Sequence, residues 1–239
     1  KSDAGQQLLH RELDKTDVLL TSFRPSALKK LGLGWAKIHA LYPALSHVAI
    51  VGAPGARAEE PGHDLTYLAE NDLVPGLDLP ATLYADMGGS LMASEAVLQA
   101  AMLRLAPYAG TGETHPRGVF LEVALSSAAH YLSLPRRWGL TQPGAAVGGG
   151  HAGYRLYPCL DGRVAVAALE PHFAAALCAA AGIELADMKA MFAPATHRAL
   201  AAFFCTQTRK QLVGLATEKD IPLHTLSNQE LQAQEKQGL

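Results

Sequence analysis

Two short apolar runs constrain what this chain can fold into more than any other feature. Asp17-Val-Leu-Leu-Thr-Ser22 and Ser46-His-Val-Ala-Ile-Val-Gly52 are continuous rather than alternating. That is the pattern of strands buried on both faces of a parallel sheet. Between them lie two helical stretches. Ser26 to Leu31 follows an Arg24-Pro25 turn and is stopped by Gly32 and Gly34; Trp35 to Leu41 is closed by Tyr42-Pro43. Strand, helices, strand in this order is a parallel crossover, so residues 1–52 are expected to build an α/β sheet. A helix capped by Ser2 or Asp3 and running to about Lys15 is expected ahead of the first strand.

Further on, His63 to about Asn71 reads as a short helix. Asp86 is expected to open a long apolar helix from Met87 to about Leu105, with Gly88-Gly89 in its first turn, where a ligand can approach. A polar loop, Pro107 to Gly118, leads to an alternating strand, Val119 to Ala124. A helix from Ser126 to Leu134 is broken by Pro135. Thr141 to Gly153 is rich in Pro, Gly and Ala and is read as a linker. It divides the chain into a large α/β domain, 1–141, and a smaller α+β domain, 142–239. The second domain is expected to open with a strand pair, Tyr154–Cys159 and Arg163–Ala168, around Leu160-Asp161-Gly162. Helices follow near Pro171–Ala181, Thr196–Phe204 and Arg209–Ala216, then a short strand at Ile221–His224. The polar end, Asn228 to Leu239, reads as a frayed helix.

Composition narrows the function classes. Twenty Lys and Arg stand against 22 Asp and Glu, a net charge of −2, which argues against a nucleic-acid or membrane partner held by charge alone. No apolar run approaches a bilayer span. The spacing of Cys159, Cys178 and Cys205 matches no metal site. Three unpaired thiols suit a reducing, cytoplasmic compartment, and no secretory leader is expected.

Chemistry can sit at three places. In Pro61-Gly62-His63-Asp64, the imidazole is either a proton donor and acceptor beside a cavity or part of an ordinary N-capping pair. Asp86 is either a plain N-cap or a carboxylate at a helix start whose free N–H groups welcome a developing oxyanion. Glu170, between an apolar strand and Pro171, is either a helix-start residue or the partner that orients a histidine. Arg24, Lys29 and Lys30 form a small basic group, either a phosphate contact or a solvated helix face. Gly148-Gly149-Gly150 is not a dinucleotide fingerprint.

Taken in order, these segments resemble the class III CoA-transferase family of CaiB/BaiF type, in particular its α-methylacyl-CoA racemase branch. Asp17 through Gly34 is similar to the family's strand, Arg-Pro turn and LGLG segment. Pro61-Gly-His-Asp-Leu-Thr-Tyr67 resembles the racemase GHDxxY stretch, and Ala85-Asp-Met-Gly-Gly89 the family's D-x-G-G. Tyr157 through Asp161-Gly162 to Leu169-Glu-Pro-His-Phe173 resembles a Y-x-x-x-DG…xEPxF block. Four motifs in the right order carry the resemblance.

The resemblance implies a Rossmann-like parallel-sheet domain followed by a smaller α+β domain. It also implies an interlocked homodimer and an acyl-CoA thioester substrate, with coenzyme A as part of that substrate and no metal or redox cofactor. The catalytic residues would be His63 and Asp86, one removing and one returning the α-proton, with Glu170 as the partner of His63. Arg24, Lys30 and Tyr67 would help seat CoA. In the family's transferases the Asp at this place attacks the acyl-CoA, and no His is expected at position 63. Gly148–Gly150 is similar to the transferases' glycine loop. The family's first β-α unit, with basic residues that contact CoA phosphates, is expected upstream and missing from the chain.

Overall fold

The computed structural model describes residues 2–105 and 117–227. The tail from Asn228, and most of the polar loop from Pro107, therefore lie outside the described residues. The chain forms two compact units, 1–134 and 135–239.

The first unit is built on a three-stranded parallel sheet in the order β1-β2-β3: β1 is Val18–Thr21, β2 Ser46–Val51 and β3 Phe120–Ala124. Helix α1 (Asp3–Leu13) precedes β1, and its N-cap is Ser2, whose Oγ accepts from the Gly5 N–H at 3.3 Å. Helices α2 (Pro25–Lys30) and α3 (Trp35–Leu41) make the first crossover. Helices α4 (Asp64–Glu70) and α5 (Tyr84–Leu105) make the second, and α6 (Leu125–Leu132) follows β3 directly.

Only β2 is enclosed by both neighbours, and its continuous apolar run is buried as expected. β1 departs from the expectation. It lies on the edge of this sheet, and Leu20 is 52% exposed. Its run is continuous because Leu20 forms part of a cleft wall, not because the strand is covered on both faces. On the other face, His47 is buried, with Nε2 2.8 Å from Thr21 Oγ1, and burial pushes its pKa down, so it is a neutral core histidine.

Helix α5 covers the sheet with small residues. Ala93 and Ala96 pack with Val48 and Val123, supported by Met92, Val97 and Ile50. The glycine pair in its first turns has the same use. A Cβ at Gly88 would meet Ala128 and Leu132 of α6 at 3.3 Å, and one at Gly89 would overlap Leu125. These glycines therefore let α6 approach α5, and the expectation that they admit a ligand is corrected. Pro135 also differs from the expectation. Helix α6 ends at Leu132, and Pro135 sits in a separate short helix, α7 (Leu134–Arg137), where its missing N–H costs nothing.

The second unit carries an antiparallel sheet, β4-β5-β6, from Tyr154–Cys159, Gly162–Ala167 and Leu223–Ser227. Helices α8 (Pro171–Ala180), α9 (Pro194–Cys205) and α10 (Arg209–Lys219) cover one face. Val164, Leu177, Leu200, Phe204 and Leu212 form its fully buried core. Tyr157 stacks on Phe204 at 4.9 Å and donates to the Ala152 carbonyl at 2.7 Å; burial pushes its phenol up to about 12. Segment 141–153 lies inside this unit, where Gly148 and Gly150 press against the backbone of Gln142 and Gly144. Among the described residues no helix is long and apolar enough to cross a membrane.

Two helix-interior glycines give opposite predictions. Gly214→Ala in α10 adds a Cβ that meets nothing within 4 Å, so it should stabilise by roughly 0.5–1 kcal/mol. Gly89→Ala gains the same propensity but overlaps Leu125, for a net loss of about 1–3 kcal/mol. Adding Leu125→Ala should then return part of that loss. Urea unfolding reads both; an unchanged midpoint for Gly89→Ala would contradict the packing described.

Candidate active site

The parallel sheet fixes where a site can form. The chain leaves β1 at Ser22, β2 at Gly52 and β3 at Leu125, so two loops and the start of α6 meet at one end of the sheet, the carboxyl end, where open α/β sheets bind ligands. The Ser126 N–H donates to the Gly52 carbonyl at 2.9 Å and ties two of these exits together. A cleft of about 830 Å³ opens there. Its walls include Leu20, Ser22, Ile50 and Leu125 from the strands and their exits, Gly62 and His63 from the loop before α4, and Asp86, Ser90, Ser94 and Leu98 from α5. His63 and Asp86, distant in sequence, therefore face one cavity within the first unit.

Each is held by its backbone. His63 is the N-cap residue of α4. Its N–H donates to Thr66 Oγ1 at 3.0 Å, and that hydroxyl donates back to the His63 carbonyl at 2.8 Å. Thr66 thus fixes the peptide on both sides of the imidazole. Asp86 is the third residue of α5, which begins at Tyr84, so the expectation that Asp86 opens the helix is corrected by one half-turn. The expected free donors are corrected as well. The Tyr84 N–H goes to the Thr82 carbonyl, the Met87 N–H to the Leu83 carbonyl, and the Asp86 N–H to Asp64 Oδ1 at 2.9 Å. The positive end of the helix dipole remains, but these N–H groups are already taken.

Asp64 was not among the expected site residues, although it follows His63 directly in the GHDxxY motif. It is 5% exposed, and its buried carboxylate carries the start of α5 on a charge-assisted bond. It also acts electrostatically. Burial pushes the Asp86 carboxyl above the usual carboxylate range, the negative charge of Asp64 pushes it further, and His63 draws it partly back. A carboxyl raised this way holds a proton more readily than an ordinary one, which favours a role in proton exchange.

A second pocket of about 320 Å³ continues from the first, sharing Ser22, Ile50, Gly62, His63 and Leu125 with it and adding Arg24, Gly52, Glu60 and Tyr67. Tyr67 is buried, its hydroxyl wedged between Gly52 and Gly62, where a Cβ on either glycine would strike it. Burial, then the charge of Asp86, pushes its phenol up, so it stays protonated. Arg24 is exposed on the pocket rim. Lys30 lines neither pocket. It lies near Glu59, whose carboxylate accepts from the Ser26 hydroxyl and N–H at 2.8 and 2.6 Å and is held below the usual range first by those bonds, then by Arg24 and Lys30. Glu170 belongs to the second unit. It is the N-cap residue of α8 before Pro171 at the first helical position, and its carboxylate makes no capping bond.

The chain matches the family model described as CoA-transferase family III over residues 1–237. The chain belongs to that family. It is 30% identical over 184 residues to a CaiB/BaiF CoA-transferase family protein of Caenorhabditis elegans, covering 68% of this chain and 52% of that one. It is 26% identical over 227 residues to the α-methylacyl-CoA racemase of Mus musculus, covering 88% of this chain and 59% of the racemase. The chain thus spans about half the length of the curated relatives it matches. Racemases and CoA-transferases both stand among its relatives. In fold it is similar to a solved protein of Mycobacterium tuberculosis, with a TM-score of 0.74 and 20% identity, covering 93% of this chain and 64% of that one.

Asp64→Asn tests the electrostatic arrangement. It keeps an acceptor for the Asp86 N–H and removes the charge. The Asp86 pKa should fall but stay above its ordinary value, because burial is the larger cause. A carbon-detected NMR titration of the Asp86 carboxyl reads this; a rise on substitution would contradict it.

Proposed function

We propose that this chain carries the proton-transfer site of an enzyme that epimerises C2 of a 2-methylacyl-CoA. The supporting observation is that His63 and Asp86 line one cleft at the carboxyl end of the sheet. The α-proton of a thioester is a poor acid. Its removal needs a base on one side and, for inversion, a proton donor on the other. Two groups with complementary protonation states meet that need. His63 takes or gives the proton on one face, and Asp86, its carboxyl raised above its ordinary value by burial and then by Asp64, serves the other.

The enolate charge needs stabilising as it develops. Here the positive end of α5 supplies a field rather than free N–H donors, since those of Tyr84, Asp86 and Met87 are spent. Arg24 and Tyr67, in the adjoining pocket, are proposed to seat the CoA moiety; Lys30 and Glu170 keep their proposed roles, CoA contact and His63 partner, on the motifs alone. The same reading expects a homodimer in the cytoplasm and no cofactor beyond the CoA of the substrate.

A second reading is favoured by the exposure of Asp86 to the cleft and by the transferases among the relatives. There Asp86 attacks the thioester carbonyl, forming a mixed anhydride and expelling CoA thiolate. The thiolate attacks the Asp86 carbonyl, releasing the first acid and leaving an aspartyl-CoA thioester. The acceptor carboxylate displaces CoA from it to form a second mixed anhydride, and CoA thiolate opens that to give the new acyl-CoA and free Asp86.

In heavy water the racemase reading predicts deuterium at C2 of a 2-methylacyl-CoA, with His63→Ala slowing the wash-in about 10²- to 10⁴-fold for the epimer whose α-proton His63 removes. Mass spectrometry of the recovered thioester reads the label. Hydroxylamine capture of an acyl group on Asp86, insensitive to His63→Ala, would replace it with the transferase reading.

A further inference from the structure

The second unit holds all three cysteines, each a free thiol. Cys178 is buried in the core, its Sγ 3.6 Å from Met191 Sδ, and burial pushes its thiol up, so it is shielded from oxidants. The other two differ. Cys159 is half-buried at the end of β4, and Cys205 is exposed at the end of α9.

The fold brings these two ends together. Tyr157 stacks on Phe204. Cys159 follows Tyr157 by two residues along β4, so it lies on the same face of the sheet, and it packs against the core under that face. Cys205 directly follows Phe204. Its Sγ is 3.9 Å from the carbonyl oxygen of Pro158, the residue bonded to Cys159. On the other side of Cys159, the Leu160 N–H donates to the Gln207 carbonyl at 2.9 Å. Segments 158–160 and 205–207 therefore run side by side, tied on both sides of Cys159. Segments paired in this way lie about 5 Å apart, and a disulfide joins Cα atoms within about 7 Å. Cys159 stands one residue away from facing Cys205, a diagonal step that this limit admits.

The neighbouring bonds hold the β4–β5 turn in place. Asp161 Oδ1 accepts from the Arg209 N–H at 2.7 Å, at the start of α10, and Cys159 Sγ is 3.9 Å from the same oxygen. A Cβ on Gly162 would press on the Arg209 side chain. The turn is thus clasped to the α9–α10 connection before any covalent link exists, so little ordering remains in closing one.

We propose that Cys159 and Cys205 are a redox-sensitive pair that closes into a disulfide when the protein meets a disulfide oxidant. Cys205, the exposed thiol, reacts first. Its thiolate attacks a sulfur of glutathione disulfide, forming a mixed disulfide and releasing one glutathione thiolate. The Cys159 thiolate then attacks the Cys205 sulfur and releases the second. Two cysteines are oxidised, one glutathione disulfide is reduced, and the two protons given up by the cysteines end on the two glutathiones. The bond fastens the β4–β5 turn to the end of α9. Neither thiol lines the cleft of the first unit, so the pair stands apart from the reaction proposed there.

The test treats the full chain with glutathione disulfide, alkylates the remaining thiols and maps the unreduced peptides by mass spectrometry. A Cys159–Cys205 link within one chain is expected, with Cys178 open to alkylation only after unfolding. The link should favour the folded state by about 10- to 10³-fold in the unfolding equilibrium, read as a higher urea midpoint that a reductant reverses. Cys205→Ser, a near-isosteric change at an exposed position, should remove both the link and the shift. Cys159→Ser should instead leave glutathione trapped on Cys205. Absence of the link, stable glutathione on Cys205 of the unsubstituted chain, a link between two chains, a link formed only in urea, or one that fails to raise the midpoint would overturn the inference.

Discussion

One hydrogen bond sets the geometry of the first unit's cleft: the Asp86 N–H to Asp64 Oδ1, 2.9 Å long and buried at the carboxylate end. Asp64 is the first residue of α4, directly after His63. Asp86 is in the first turn of α5. The bond therefore joins the peptide beside one proposed proton carrier to the backbone of the other. A carboxylate in this position is buried at a cost unless it is paired, and a backbone donor at a helix start is the pairing it finds. The same carboxylate raises Asp86, so one side chain both fixes position and adjusts protonation. Thr66, closing its hydroxyl on both peptide groups of His63, completes the frame from the other side.

Helix α5 reconciles two demands that a single amphipathic stripe could not. Toward the sheet and α6 it presents Gly88, Gly89, Ala93, Ala96 and Ala100, which allow close approach. Toward the cleft it presents Asp86 and the serine and valine positions of its open stripe. Close packing on one side keeps the helix against β2 and β3, and the small residues on the other keep the cleft open. Bulk on either face would be felt at the site, because the same 22 residues serve both.

Much of this was legible in the sequence. The enclosed strand β2, the helices of the first crossover and the β4-β5 hairpin follow from apolar runs and turn residues, since both depend on local chemistry. The family was legible because four motifs kept their order, and the family match over residues 1–237 agrees. The failures share one cause: they depend on what lies across space. Leu20 reads as core, but on an edge strand it becomes a cleft wall. Gly88-Gly89 reads as room for a ligand, but Ala128, Leu132 and Leu125 occupy that room. The Asp86 N–H reads as free because its partner, Asp64, is 22 residues away in sequence. Asp64 itself was inside a quoted motif, yet nothing local distinguishes a buried helix-capping carboxylate from an ordinary first-turn one.

The central claim is that His63 and Asp86 attend opposite faces of one carbon. Separate epimers of a 2-methylacyl-CoA test it most directly, incubated in heavy water with His63→Ala and with Asp86→Asn. The two-sided arrangement predicts that neither variant interconverts the epimers, while each still exchanges the α-proton of one epimer, a different one for each variant. Exchange of both epimers by the same variant would contradict it.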